Sequence, residues 1–253
     1  MNVITQQLNK ACITNDVAMV KYLVEKHGCD PSGKDNKGNT PLFGCILRSP
    51  LIACSKNGNL AMVKYLVEKH GCDPSGKDDV GNTPLNLAAL SDSLDILMYL
   101  IEERKCSPAC PGQWGRSPLH NACAKNGNLA MVKYLVEKHG CDPSGKDENG
   151  NTPLNLAAFS GSLDILMYLI EERKCSPACP GEWGRSPLHN ACEKNGNLAT
   201  VKYLVEKHGC DLYLQVIHGH TPLDLATTWR NVPVIQYKSN KMGIDEIDLH
   251  FVS

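Results

Sequence analysis

Gly115-Arg116-Ser117-Pro118-Leu119-His120-Asn121-Ala122-Cys123 recurs unchanged as Gly184-Arg185-Ser186-Pro187-Leu188-His189-Asn190-Ala191-Cys192. A Ser or Thr before Pro reads as a helix N-cap followed by a pre-organised first turn. Each copy therefore opens a helix. Working outward, residues 81–142 and 150–211 align without a gap at an offset of 69 residues. They differ only at Leu90/Phe159, Asp92/Gly161, Gln113/Glu182, Ala124/Glu193 and Met131/Thr200. Each block splits again into related halves of 34 and 35 residues, 81–114 and 115–149. Self-similarity at such a period is the mark of a repeat array.

Every half has the same physical plan. Thr83-Pro84, Ser117-Pro118, Thr152-Pro153, Ser186-Pro187 and Thr221-Pro222 start a short helix of about eight residues, rich in Leu and Ala. A second helix follows with apolar residues at helical spacing, as in Leu129, Val132, Leu135 and Val136. It stops near His139-Gly140, where Gly suits a C-terminal cap. Cys141-Asp142-Pro143-Ser144-Gly145-Lys146-Asp147 is turn chemistry leading to the next cap. Helices shorter than about 12–15 residues are marginal alone in water, so each pair must bury its apolar face against the next.

The Gly-x-Thr-Pro-Leu start, the paired Ala or Ala-Cys, and the period near 33 resemble the ankyrin-repeat family. Ser117-Pro118-Leu119-His120-Asn121-Ala122 and its copy at 186–191 carry the resemblance best, and it covers about residues 6–237. It implies an all-α solenoid of stacked helix-turn-helix units with β-hairpin-like finger loops. Seven units are expected: an N-terminal cap (1–37), an irregular repeat (38–80), full repeats at 81–114, 115–149, 150–183 and 184–218, and a partial C-terminal cap (219–237) before a tail (238–253). In the first cap, Gln6, Gln7, Asn9 and Lys10 are expected to face water. The second unit has lost about 26 residues, fusing Thr40-Pro41-Leu42 to Ser49-Pro50-Leu51, and its first helix could start at Thr40 or at Ser49. In the last unit the second helix contains Pro233 and is expected to fade near Tyr237. The family's His after Pro-Leu is Asn at Asn86 and Asn155, Asp at Asp224 and Phe at Phe43, which puts its hydrogen bonds to neighbouring repeats in question there. The extra length over 33 is assigned to the end of the second helix and, in alternate repeats, to the turn at 125–128.

Composition narrows the function. Of 253 residues, 42% are hydrophobic and 21% charged, as in ordinary folded proteins, and the formal net charge is -1. Such a charge offers no field for phosphate backbones or anionic lipid, so neither nucleic acid nor membrane is expected as partner. No apolar run reaches the roughly 18 residues of a membrane helix. The N-terminus has neither a basic start nor a long apolar stretch, so no signal peptide is expected. With 13 cysteines, an odd number, free thiols in the cytoplasm are anticipated.

Two motifs imitate chemistry. Gly28-Cys29-Asp30-Pro31-Ser32-Gly33-Lys34 recurs at 71–77 and 140–146 and fits Gly-x-x-x-x-Gly-Lys. The next residue, however, is Asp35, Asp78 or Asp147, where a phosphate-binding loop needs Ser or Thr, and the motif follows a helix rather than a strand. Cys106, Cys110, His120 and Cys123, recurring as Cys175, Cys179, His189 and Cys192, have spacing that would permit a zinc site. In the ankyrin frame Cys106 and Cys123 occupy small buried positions. No catalytic signature is present, so the expectation is no enzyme, no cofactor and no metal. A thiol- or metal-dependent redox protein is the rival reading; the regulatory part of a larger assembly is a second.

The resemblance places partner contacts at finger tips and on the inner, concave side of the first helices. The expected partner-binding residues are Gln113, Trp114, Arg116, Asn149, Glu182, Trp183, Arg185 and His218 on fingers, with Leu90, Phe159 and Trp229 at first-helix positions. Ala124, Glu193 and Thr228 are further inner positions. Trp114 and Trp183 stand on polar turns, each closely followed by Arg, and exposed Trp and Arg are enriched as binding anchors. They lie two repeats apart, roughly 20 Å if helices stack at about 10 Å. Three of the five differences between the 69-residue copies, 90/159, 113/182 and 124/193, fall on these positions. The expected partner is a protein of unspecified identity, bound by a monomer. For the alternating tail Ile247-Asp248-Leu249-His250-Phe251 two expectations stand: that it folds over the apolar run 212–217, or that it is disordered.

Overall fold

A computed structural model describes residues 3–34, 38–46, 60–125, 127–193 and 198–242. Among them are fourteen α-helices that alternate as first and second helices of seven repeats. The first helices are α1 (Val3–Ile13), α3 (Pro41–Ile46), α5 (Pro84–Leu90), α7 (Pro118–Ala124), α9 (Pro153–Ser160), α11 (Pro187–Cys192) and α13 (Pro222–Thr228). The second helices are α2 (Val17–Lys21), α4 (Leu60–Lys64), α6 (Leu94–Glu102), α8 (Leu129–Lys133), α10 (Leu163–Met167), α12 (Leu198–Lys202) and α14 (Val232–Met242). The chain packs as two compact units, residues 1–122 with 130–141, and residues 123–129 with 142–253.

The caps set the first helices. Thr83 Oγ1 accepts the Asn86 N–H at 3.3 Å while Asn86 Oδ1 accepts the Thr83 N–H at 3.0 Å, a reciprocal box that Thr152/Asn155 repeats. Such a cap stabilises a helix by about 1 kcal/mol. Asn86 also answers the question raised by its replacing His. Its Nδ2 donates to the carbonyls of Cys110, at the end of its own repeat, and of Arg116 in the next, each at 3.2 Å. Asn155 makes the same contacts to Cys179 and Arg185 in the second unit, where His189 Nε2 instead meets the Leu214 carbonyl at 2.9 Å. The amide thus reaches the same kind of acceptor as the imidazole.

The second helices absorb the extra residue as the sequence suggests. After α2, α4, α8, α10 and α12 the chain continues as a π-helical turn, at Tyr22–Lys26, Tyr65–Lys69, Tyr134–Lys138, Tyr168–Glu172 and Tyr203–Lys207. A π turn is the usual way to hold one inserted residue within a helix. The chain then reverses through a left-handed residue: Gly71, Gly140 and Gly209, but Lys105 (φ 57°) and Lys174 (φ 59°) in the alternate repeats.

Two ladders run through each unit. In the first unit Cys72, Cys106 and Cys141 each place Sγ 3.3–3.6 Å from the carbonyl of Pro31, Pro74 and Pro108 in the preceding repeat. Cys175 and Cys210 do the same with Pro143 and Pro177 in the second unit. On the second helices Tyr65, Tyr99 and Tyr134 donate to Glu25, Glu68 and Glu102, and Tyr203 and Tyr237 to Glu171 and Glu206. Burial first, and then the carboxylate, pushes Tyr65, Tyr99 and Tyr237 up to about 12. Leucines of the Pro-Leu step, Leu42, Leu85 and Leu119 in one unit and Leu154 and Leu188 in the other, are fully buried. Each contributes about 2 kcal/mol to the stacking that such short helices require.

The structure answers one point left open, and it differs from the sequence reading at the last helix and at Asn9. The fingers are hairpin-like turns held by backbone hydrogen bonds, as from the Asp78 N–H to the Asn82 carbonyl at 3.0 Å, with no strand among the described residues. The first helix of the second repeat starts at Pro41, so of the two starts left open Thr40 precedes a helix; Ser49 lies outside the described residues. The last helix, α14, runs to Met242 rather than fading near Tyr237, because Pro233 sits in its first turn, where no backbone donor is needed. In the first repeat Gln6, Gln7 and Lys10 are exposed or nearly so, but Asn9 is buried with neither amide atom hydrogen bonded among the described residues. Ile13, Val17, Met19 and Tyr22 are exposed there instead. Asn36, Lys37 and the tail segment 247–251 lie outside the described residues.

Candidate interaction fingers

Of five fingers of equal length, four come in two designs, and the fifth, residues 216–220, has neither the Asp nor the Trp. In one, Asp78 or Asp147 organises the turn: Asp78 Oδ1 accepts the Val80 and Asn82 N–H groups at 3.1 and 2.7 Å, and Asp147 Oδ1 those of Asn149 and Asn151 at 3.0 and 2.8 Å. Only the following Gly is left-handed. Gly112 and Gly181 replace that Asp and supply no carboxylate. There the chain makes two successive left-handed residues, Trp114 (φ 57°) with Gly115 (φ 68°), and Trp183 (φ 54°) with Gly184 (φ 75°). Arg116 N–H closes on the Gln113 carbonyl at 3.2 Å, and Arg185 N–H on that of Glu182 at 3.0 Å. This is the type I′ turn, whose first central position favours Asn or Asp. A Trp there is a backbone outlier that costs energy.

Both indoles are half exposed, Trp114 at 51% and Trp183 at 52%. The Arg116 guanidinium lies 4.9 Å from the Trp114 ring centre, and Arg185 lies at the same distance from Trp183. A cation held over an indole at an exposed site is worth about 0.5–1 kcal/mol. Arg185 is further tied by Nη1 to Glu193 Oε2 at 3.1 Å, where both side chains are largely shielded. Burial meanwhile holds His189, beneath this finger, below its usual value.

The glycines of these fingers are required by space. A Cβ on Gly112 would stand 2.7 Å from Asn86 Oδ1, and one on Gly181 2.6 Å from Asn151 Oδ1. That close approach lets the Asn82 and Asn151 amide oxygens accept the Gln113 and Glu182 N–H groups, each at 3.0 Å. In this way each Trp finger is fastened to the finger before it within its own unit.

The expected contact residues distribute as follows. In the first unit Gln113, Trp114 and Arg116 share one finger, and Leu90 is partly exposed at the end of α5. In the second unit Glu182, Trp183 and Arg185 share one finger, Phe159 is partly exposed near the end of α9, and Asn149 and His218 are exposed on two others. Trp229, exposed at 44%, ends α13 and does not join a finger. Two more positions that the resemblance places on the contact surface, Glu193 on a first helix and Ile217 on a finger, also take part. Glu193 anchors Arg185, and Ile217, 79% exposed, lies where a Cβ on Gly184 would meet its Cγ1 at 3.4 Å.

The two imitations separate into repeat architecture. In the phosphate-loop lookalike, Lys77 Nζ donates to the Pro111 carbonyl at 3.2 Å and Lys34 Nζ to the Lys77 carbonyl at 3.1 Å, so these lysines bridge repeats. In the thiol set of the second unit, Cys175 faces Pro143 and Ser144, Cys179 faces Thr152, and His189 faces Leu214. No group of three or more His, Cys, Asp or Glu able to hold a metal occurs among the described residues. Burial pushes Cys72 and Cys141 up to about 11 and Cys192 up to about 12, the opposite of what a nucleophilic or ligating thiolate needs. No helix among the described residues is long and apolar enough to cross a membrane.

Capped helix pairs, ladders that repeat from pair to pair, and protruding fingers define a helical repeat array. The family description "Ankyrin repeats (3 copies)" matches residues 46–110 and 104–180, and "Ankyrin repeats (many copies)" matches 169–226. These matches run continuously over most of the chain, and the protein belongs to the ankyrin-repeat family. Repeats of this family generally mediate protein–protein interaction. No curated protein matches the chain.

Proposed function

We propose that this protein is a non-enzymatic adaptor that binds a partner protein through its finger loops, with Trp114 and Trp183 as anchors. The observation that carries this reading is the conformation of the two indoles. Each is half exposed, overlaid by an Arg, and held in left-handed backbone that Asn or Gly would adopt at lower cost. A side chain kept at a conformational cost in a solvent-facing turn is better explained by what it touches outside the chain than by folding. Gln113, Arg116, Glu182 and Arg185 supply polar contacts around the rings, and Leu90, Phe159, Asn149, His218 and Trp229 extend the surface. Buried thiols with raised pKa values fit a reducing compartment, and the cytoplasm is the location we assign.

The test is affinity capture with the intact chain beside a Trp114→Ala/Trp183→Ala variant, followed by titration of the recovered protein against both. The intact chain should retain a partner that the variant binds at least tenfold more weakly, about 1.4 kcal/mol. Equal binding by both chains would remove the fingers from the interface.

A further inference from the structure

We propose that the Trp183 finger is proton-sensitive: its outgoing limb is seated on a neutral, buried imidazole, and protonating His189 loosens it. The consequence for binding rests on the finger reading above, whereas the switch itself lies within the chain. Ser186 follows Arg185 at the foot of this finger. Its backbone N–H lies 3.2 Å from His189 Nδ1, and its hydroxyl lies 2.8 Å from the same atom. A backbone N–H can only donate, so Nδ1 is the accepting, unprotonated nitrogen. The ring proton therefore sits on Nε2, which donates to the Leu214 carbonyl at 2.9 Å, in the turn that ends its own repeat. His189 is fully buried, so water does not substitute for either partner. A second proton has one place to go, Nδ1. The Ser186 hydroxyl can turn to accept it, but the backbone N–H then stands buried against a cation with its acceptor gone.

The surroundings do not favour the cation. Of the helices packed on α11, α9 carries no titratable residue, and α12 carries Lys202, which lies 5.5 Å from the Tyr237 ring centre. On α13 the Asp224 carboxylate already accepts the Thr221 N–H and hydroxyl, each at 2.8 Å. The charged group that bears on the ring is Arg185 of the finger itself, which is tied to Glu193. Burial, the largest influence, holds the imidazole below its usual value against the backbone bonds of Leu214 and His220, and Arg185 adds to the effect.

The other finger design provides the contrast. Beneath the Asp147 finger the same cap position is Asn155, whose Oδ1 accepts the Thr152 N–H at 3.0 Å while Nδ2 donates to the Cys179 and Arg185 carbonyls. One acceptor and one donor are supplied there by an amide that takes no proton in this range. In the first unit Asn86 likewise stands under the Asp78 finger, whereas His120 Nδ1 lies 3.3 Å from the Ser117 N–H under the Trp114 finger. Both Trp fingers stand on imidazole and both Asp fingers on amide.

The seated His189 ring binds a proton less readily than an exposed one. Closure is therefore complete well above the ordinary histidine value, about 6.5, and weakens as pH falls through it. Amide hydrogen exchange of the full-length chain, followed by NMR at pH 7.5 and 5.5 and corrected for intrinsic rates, tests this. With one proton separating open from closed, protection of the Ser186 amide should fall about tenfold. Thr152, the matching amide seated on Asn155, should change by less than about twofold. His189→Asn, which copies the natural Asn155, should remove the pH dependence at Ser186. In the unaltered chain the His189 ring signals should titrate below about 6.5 as Ser186 loses protection, a readout that needs no variant. Protection of Ser186 that is independent of pH, an equal loss at Thr152, or a loss that persists in His189→Asn would each overturn the proposal. No partner enters the measurement, so a failed switch leaves the finger reading standing, and indoles that bind nothing leave the switch standing.

Discussion

The Trp114 and Trp183 fingers come from two stretches of sequence that differ at five positions, and three of the differences have a distinct physical consequence in the structure. Both fingers share the type I′ turn, the Arg over the indole and the Gly pressed against an Asn. Around the second, Glu193 replaces Ala124 and clamps Arg185, whereas Ala124 offers no carboxylate. Beneath it, Thr200 replaces Met131 at a fully buried position, and its hydroxyl has no hydrogen-bond partner among the described residues. At the end of the first helix, left-handed Gly161 replaces left-handed Asp92. What both copies keep is the finger. What they vary is how firmly it and its support are held.

Exchanging residues between the copies tests that division. The largest effect should come from what they share: Gly181→Ala and Gly112→Ala should each cost about 2–3 kcal/mol in urea unfolding, because the buried Asn caps cannot retreat from the new Cβ. If only one copy responds, the fingers are not equivalent. Next, Thr200→Met should gain about 1–2 kcal/mol and Met131→Thr lose about 2–3 kcal/mol, since one swap fills space and removes an unpaired hydroxyl while the other creates both defects. Opposite signs are the diagnostic result. The smallest effect belongs to the clamp. Glu193→Ala should cost about 1 kcal/mol, and a double-mutant cycle with Arg185→Lys should recover most of it as coupling.

Much of this was legible beforehand because repetition made each reading testable against its own copies. Ser or Thr before Pro located the first helices, and the length excess located the widened second helices. The same period marked the Gly-x-x-x-x-Gly-Lys stretches as inter-repeat turns. Three things were not legible, each for a physical reason. The rescue of the missing His by Asn86 and Asn155 depends on where the next finger's carbonyls stand, which spacing alone does not give. The exposure of Met19 and Tyr22 depends on what lies against α2, and an amphipathic pattern looks the same whether its apolar side is covered or bare. The left-handed backbone at Trp114 and Trp183 accompanies Gly112 and Gly181, whose close packing on the Asn of the preceding finger is a tertiary feature that spacing does not give. Trp-Gly at the tip was the only hint.

The central claim is that the two indoles are kept for a partner rather than for the fold. It is tested most directly by calorimetric unfolding of the Trp114→Asn/Trp183→Asn variant beside the original chain. Relief of two left-handed Trp residues, set against loss of their Arg contacts, should leave stability unchanged or raised by roughly 1 kcal/mol. A loss of 3 kcal/mol or more, on the order of what removing a packed core ring costs, would make the indoles structural and contradict the account.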